Sequence, residues 1–407
     1  MPPRVQSLVD SFVPGNGLYE NGIHAQAYDS TETGEKDDLS HPDAITSVEP
    51  KDEVSAAGSE SAMSKDQPVD AEVPALPKLS SKPRPPIARA ADSMDLLGIN
   101  APPPLIEPSC HPLEPQITEE VNSYFIQHWP FPNAKAVQKF KDAGFSRVTC
   151  CYYPKALPDR IGFGCRLLTL LFLIDDLLED MSFEAGKAYN DKLMPISRGD
   201  VLPDRAVPVE YITYDLWESM RAHDRKLADE ILEPVFTFMR AQTDSQRKET
   251  MELGQYLEYR ERDVGKALLS ALMRFVMKLE LTETQLEDVK EVDLNCSKHI
   301  SVVNDIYSWE KEVKQSEQST EEGSVLCSSV KVVADECKVR VSAAKRILWS
   351  MCREWELVHL KLVNKKLKDA SPEVVTYCKG LEYQMSGNEM WSKSTKRYVG
   401  LEGEATA

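Results

Sequence analysis

With 407 residues, 45.8 kDa and a formal net charge of −18, the chain has room for two or three average domains and is too acidic to bind nucleic acid by general electrostatics. An acidic chain still holds a phosphorylated small molecule where metal ions and local arginines reverse the sign, so that class stays open. Nine cysteines, odd in number and without a CxxC pair, exclude a disulfide framework and a zinc ribbon and point to a reduced intracellular protein. The start MPPRVQSLVDSFVPG has no apolar signal core, and no run of about 18 apolar residues occurs, so a soluble, cytosolic chain without stable membrane insertion is expected.

Residues 1–105 are rich in Pro, Ser, Asp, Glu and Ala, nearly free of aromatics and without cysteine. They predict a disordered extension, with a proline-rich linker at 74–90 (PALPKLSSKPRPPIARA) and short amphipathic helices at 5–12 or 93–97. From there to residue 399 the pattern is helical, with apolar residues at helical spacing. Helices are expected at 119–129, at 135–145, from 158 into the acidic stretch near 180, then at 210–226, 227–242, 245–264, 265–279, 284–311, 331–336, 341–367 and 374–383. The polar stretches 180–204 and 315–323 read as loops that follow acidic helix ends, where lids often form. Alternating segments joined by hairpin signals are missing and no repeat of about 20–50 residues is visible, so 106–399 reads as one all-α domain, with a flexible tail at 400–407.

Two stretches carry chemistry. Residues 167–180 read LLTLLFLIDDLLED, an apolar run that drives into Asp175, Asp176, Glu179 and Asp180. On a helix Asp175 and Glu179 share one face, about 5–6 Å apart at Cβ. Paired carboxylates on a buried helix are costly without a cation. Hard divalent ions such as Mg²⁺ take such oxygens and commonly share them with a phosphorylated substrate. A core helix with a solvated acidic end is the plainer alternative. Residues 302–312 read VVNDIYSWEKE, in which Asn304, Ser308 and Glu312 place an amide oxygen, a hydroxyl and a carboxylate along one helix face.

The two stretches together resemble the metal-binding signature of class I terpene cyclases. PISRGDVLPDR (195–205), YDLWESMRAHD (214–224), YLEYRERDVGKALLSALMRF (256–275) and KGLEYQMSGNEMWSKSTKRY (379–398) resemble fungal aristolochene synthases, and the similarity spans about 110–398. The resemblance implies a single class I terpenoid synthase bundle that assembles three Mg²⁺ ions and farnesyl diphosphate between its acidic helices. By that resemblance Asp175 bridges two ions with support from Glu179, Asn304, Ser308 and Glu312 chelate the third, and Asp176 and Asp180 are weaker candidates. Arg260 with its linked Asp263, Lys311, Arg397 and Tyr398 match the diphosphate donors, work that suits the forked guanidinium. Phe172, Phe238 and Trp391 match cavity-lining positions, Tyr152 shapes the fold of the farnesyl chain, and Lys266 matches a residue of the reprotonation network. The implied reaction runs from loss of diphosphate through germacrene A and a eudesmane cation to aristolochene. A related cyclase that releases germacrene A or another hydrocarbon, and a non-catalytic helical scaffold, are the alternatives.

Overall fold

The apolar run at 167–174 becomes the spine of a helical bundle, because a helix apolar on most of its circumference must be covered on most sides. The computed structural model describes residues 101–399, and every regular element among them is helical. In chain order these are α1 (Glu114–His128), α2 (Ala134–Ala143), α3 (Phe145–Tyr152), α4 (Ile161–Leu178), α5 (Phe183–Arg198), α6 (Pro208–Gln242) and α7 (Leu253–Asp263). There follow α8 (Lys266–Met277), α9 (Glu283–Gln318), α10 (Ser329–Cys337), α11 (Val341–Lys366), α12 (Pro372–Ser394) and α13 (Lys396–Val399). Helix α4 carries the run and is packed by α3, α6, α8 and α1, while α9 is flanked by α11 and α12. The main core joins α1, α3, α4, α6 and α8 to the inner faces of α9 and α12, and a second apolar cluster ties α9 to α10 and α11.

The expected all-α architecture is present, with four local differences. The stretch 180–204, expected as a loop, holds α5, capped by Ser182, whose side chain accepts from Ala185 N, and closed by Gly199 at φ 82°. Residues 145–152 form a separate helix, α3, buried along its length. The 245–264 helix starts instead with a 3₁₀ turn (Ser245–Lys248), and α7 begins at Leu253 behind a capping box of Glu252 and Gln255. Helix α12 runs eleven residues past the expected end at 383, to Ser394. The expected division at 226/227 corresponds to a kink at Asp224 (φ −158°, ψ 91°), whose carboxylate caps Leu227 N at 3.2 Å and pairs with Arg160 at 2.9 Å. The short helices expected at 5–12 and 93–97, the 74–90 linker and the 400–407 tail lie outside the described residues.

The segment 101–111 is strapped across α11, α12 and α3. Arg353 Nε donates to Pro102 O at 2.7 Å, Leu105 N donates to Glu356 Oε2 at 2.7 Å, and His111 N donates to Cys150 O at 3.0 Å. Beneath the strap Arg353 binds Glu389 in bidentate fashion (2.7 and 2.8 Å) and reaches Glu356 at 2.5 Å, and His299 contacts Glu356 at 3.1 Å. The guanidinium offsets part of the charge of these two buried carboxylates and hydrogen-bonds to both.

Candidate active site

Helices α4 and α9 bring their oxygen-bearing faces to opposite walls of one cleft, whose free space is about 1320 Å³ counting its open mouth. Asp175 and Glu179 line it from α4; Asn304, Ser308, Lys311 and Glu312 line it from α9; Arg397 and Tyr398 close it from α13. Carboxylate oxygens of Asp175, Asp176 and Glu179 lie within 4.8 Å of one another. On the facing helix Ser308 Oγ donates to Glu312 Oε1 at 2.6 Å. Every group in both sets is a hard oxygen donor, the chemistry Mg²⁺ prefers.

The cations of the cleft are seated on these same groups. Arg397 grips Asp176 with two hydrogen bonds (2.6 and 3.0 Å) and stands 3.9 Å from Asp175. Burial alone would raise the Asp176 carboxyl, but the charge and hydrogen bonds of Arg397, joined by Lys311, hold it at about 2. Lys311 pairs with Glu179. Burial outweighs that pairing for Glu179, whose carboxyl is raised; for Lys311, burial and Arg397 are outweighed by the carboxylates, and the ammonium is held above its ordinary range. Glu312 is pushed up to about 7 by burial and then by the charge of Asp305.

Arg260, from α7, is the hub of the far wall. It donates to Asn304 Oδ1 at 2.9 Å, to Asp305 Oδ1 at 3.1 and 3.3 Å, and to Asp263. Asn304 in turn donates from Nδ2 to the Tyr398 hydroxyl at 3.0 Å, so the amide is fixed from both sides. Over the mouth sits the turn Glu322–Ser324: Gly323 N donates to Met181 O at 3.0 Å, Ser324 Oγ to Glu179 O at 2.6 Å, and Glu322 pairs with Lys248.

Below the charged end the cleft is apolar. Leu168, Leu171 and Phe172 of α4, Phe238 of α6 and Leu268 and Leu269 of α8 line it, with Tyr152 on the wall. Phe172 stacks on Phe145 (centroids 4.6 Å, planes 9° apart), which presents a fixed π face. Tyr152 is buried, its phenol is raised by burial, and its hydroxyl donates to Asn388 Oδ1 at 2.9 Å.

Two sequence candidates do not line the cleft. Trp391 stands behind Phe172 (6.1 Å between centroids), held by donation from its indole N–H to Ala143 O and Gly144 O, each at 3.1 Å. Lys266 is buried and occupied: it pairs with Asp293, donates to Ser270 and reaches Gln384 Oε1 at 3.2 Å. Four residues of the site went unassigned in the sequence. Gln242 donates to Asp175 Oδ1 at 2.8 Å, Arg247 pairs with Asp263 at 2.7 Å, Asn388 holds Tyr152, and Asp305 anchors Arg260. Only Asp305 carried a signal, from its place inside the second acidic stretch.

Known proteins are similar to this chain in sequence and fold. The profile of terpene synthase family 2, C-terminal metal binding, matches residues 166–356, which include both acidic stretches. An aristolochene synthase of Aspergillus terreus is 64% identical over 302 residues, covering 74% of this chain and 94% of that protein. The chain belongs to the terpene synthase family. A second relative within that family, an aristolochene synthase of Penicillium roqueforti, is 61% identical over 294 residues, 71% of this terpene synthase and 85% of the relative. The crystal structure of aristolochene synthase from Penicillium roqueforti superposes with a TM-score of 0.66 at 58% identity, covering 73% of this chain and 100% of that one. Hedycaryol synthase, at 18% identity and a TM-score of 0.61 over 72% of this chain and 97% of its own, shares the fold. No described helix of the terpene synthase is long and apolar enough to cross a membrane.

Proposed function

We propose that this terpene synthase is a carbon–oxygen lyase that cyclises farnesyl diphosphate to aristolochene and diphosphate, with a requirement for divalent metal that three Mg²⁺ ions satisfy. The observation that carries the reading is one cleft with two oxygen-rich helix faces at its mouth and an apolar, aromatic floor. The relatives named aristolochene synthase, at 61–64% identity, support the product.

Asp175 and Glu179 on one side and Asn304, Ser308 and Glu312 on the other would hold the ions. Bound Mg²⁺ would neutralise the diphosphate oxygens and make the group a better leaving group. Arg260, Lys311, Arg397 and Tyr398 bind the diphosphate once each turns from its present partner, and a guanidinium fork suits that exchange. The turn Glu322–Ser324 excludes water from the mouth.

The farnesyl chain lies against the apolar floor, where Phe172 and Phe238 offer ring faces to the allylic cation. A desolvated cation–π contact contributes roughly 2 kcal/mol. Ring closure and proton loss give germacrene A; reprotonation closes the second ring to the eudesmane cation, and hydride shift, methyl shift and a last deprotonation give aristolochene. Trp391 supports this wall through Phe172, and Lys266 supports it through the Asp293 and Ser270 network beside Leu269. A reducing, cytoplasmic setting is the reading supported by nine cysteines that form no disulfide.

The test is gas chromatography–mass spectrometry of an organic extract after incubation with farnesyl diphosphate, with and without Mg²⁺. A Mg²⁺-dependent aristolochene peak is expected. Mainly germacrene A would keep the cyclase and overturn the product, and no hydrocarbon in either sample would overturn the function.

A further inference from the structure

Helices α3 and α12 touch backbone to backbone at one point, beside the cleft. A Cβ built on Gly387 would stand 2.7 Å from the carbonyl carbon of Cys151, closer still to its oxygen, and 3.1 Å from its Cβ. The obstacle is main chain, which has no rotamer to change. The next residue on each helix is a cleft residue: Tyr152 follows Cys151, Asn388 follows Gly387, and the two are joined by the 2.9 Å hydrogen bond. Asn388 is anchored from its other end, donating to Ile300 O of α9 at 3.1 Å.

We propose that Gly387 is a positioning residue for the cyclisation wall: by letting α12 rest on the last turn of α3, it sets where Tyr152 stands in the cleft. The inference rests on the cyclase reading above. Carbon atoms in van der Waals contact sit about 3.5–4.0 Å apart, so a methyl group at 387 drives the helices apart by an amount on the order of 1 Å. A hydrogen bond that starts at 2.9 Å and lengthens by that much leaves hydrogen-bonding range. Tyr152 then loses its tether, and the pocket loosens at the wall that folds the farnesyl chain. The metal-facing oxygens of the charged end stand on α4 and α9, and none of them is on α3 or α12. Gly387 therefore governs which hydrocarbon leaves the cleft and leaves the rate of diphosphate loss nearly untouched.

Helix α12 supplies its own control. A Cβ on Gly380 would collide with the Met273 sulfur, part of a flexible, buried side chain, and not with main chain as at Gly387. The experiment compares the parent, Gly387→Ala and Gly380→Ala for hydrocarbon composition and for diphosphate release, at a temperature well below each melting point. Gly387→Ala is expected to raise the ratio of germacrene A and other early-released olefins to aristolochene roughly tenfold while diphosphate release stays within about threefold. Gly380→Ala is expected to keep the parental ratio. A folded Gly387→Ala with the parental ratio overturns the inference, as does an equal shift in Gly380→Ala. If Gly387→Ala does not fold, Asn388→Leu, which frees Tyr152 and leaves the helix contact intact, is expected to shift the ratio in the same direction; a parental ratio there overturns the inference. A parent that yields no hydrocarbon would instead refute the function on which it rests.

Discussion

Replacing Asp175 by Asn separates a catalytic carboxylate from a structural one. In the fold Asp175 accepts one hydrogen bond, from Gln242 at 2.8 Å, and the Asn carbonyl can accept the same bond. Its charge feels opposed forces: the Asp176 and Glu179 carboxylates within 4.8 Å repel it, and Arg397 at 3.9 Å attracts it. At an effective dielectric of about 20, unit charges at these two distances interact by roughly 3.5 and 4.3 kcal/mol, so the two repulsions exceed the one attraction by roughly 2.7 kcal/mol, a surplus reduced by Lys311, whose ammonium also feels Asp175. Its side chain is 40% exposed, which screens all of them. The net change in stability is therefore expected to stay under about 1 kcal/mol, in either direction. Catalysis should fall by on the order of a thousandfold or more, because the charge that holds metal at the ionising end is gone. Urea unfolding reads the first quantity, steady-state turnover of farnesyl diphosphate the second, and Mn²⁺ titration by calorimetry separates metal affinity from chemistry. Turnover within tenfold of the parent, with Mn²⁺ binding unchanged, would remove Asp175 from the metal site.

Arg353→Leu strands Glu356 and Glu389 in the interior and should cost about 3–5 kcal/mol in urea unfolding, with the surviving folded fraction still making the parental product; a loss below about 1 kcal/mol would show that the cluster does not hold the strap. His359 is held at about 4 by burial, with the nearby His299 and Lys266 adding to it. Its folded value is depressed, so the unfolded chain takes up the proton first, and about 3 kcal/mol of stability should drain away as pH falls from about 6.5 to 4. In His359→Leu that part of the acid slope should vanish; identical slopes would refute the assignment. Removing residues 1–100 should leave product and melting temperature unchanged. A cut extended through residue 107 also removes the Pro102 and Leu105 bonds to Arg353 and Glu356 and should lower stability by about 1.5–3 kcal/mol for each bond to a charged group; equal melting of the two truncations would argue against the strap.

The sequence made the helical bundle legible because its long helices repeat apolar residues at helical spacing over many turns; α11 lies where it was expected, and α9 starts where it was expected but runs seven residues further, into the loop expected from 315. Helix α5 was harder to see because polar and charged residues fill much of it and Pro195 interrupts it; its signals were the caps, Ser182 and Gly199. Helix α12 was expected to end before Gly387, which looks like a break in one dimension, whereas in the fold it is a point of close approach. The acidic faces of α4 and α9 were readable from their spacing alone. The supporting residues were not: Gln242, Arg247 and Asn388 reach the cleft from helices and turns remote in sequence, and only packing brings them there. Lys266 shows the converse, since its buried ion pair with Asp293, 27 residues away, could not be read from local pattern.

The cleft keeps its own charges in escrow. Arg397 is bound to Asp176, Lys311 to Glu179 and Arg260 to Asn304, so the groups proposed for diphosphate are seated on or beside those proposed for metal. A lone cation that takes Asp176 or Glu179 displaces a guanidinium or an ammonium from its carboxylate, and a lone anion that takes Arg397 or Lys311 pulls the same groups off. When both arrive, each frees the partner that the other needs, which is positive coupling between two ligands. On the proposed roles, metal and pyrophosphate should each bind more tightly when the other is present than when it comes alone.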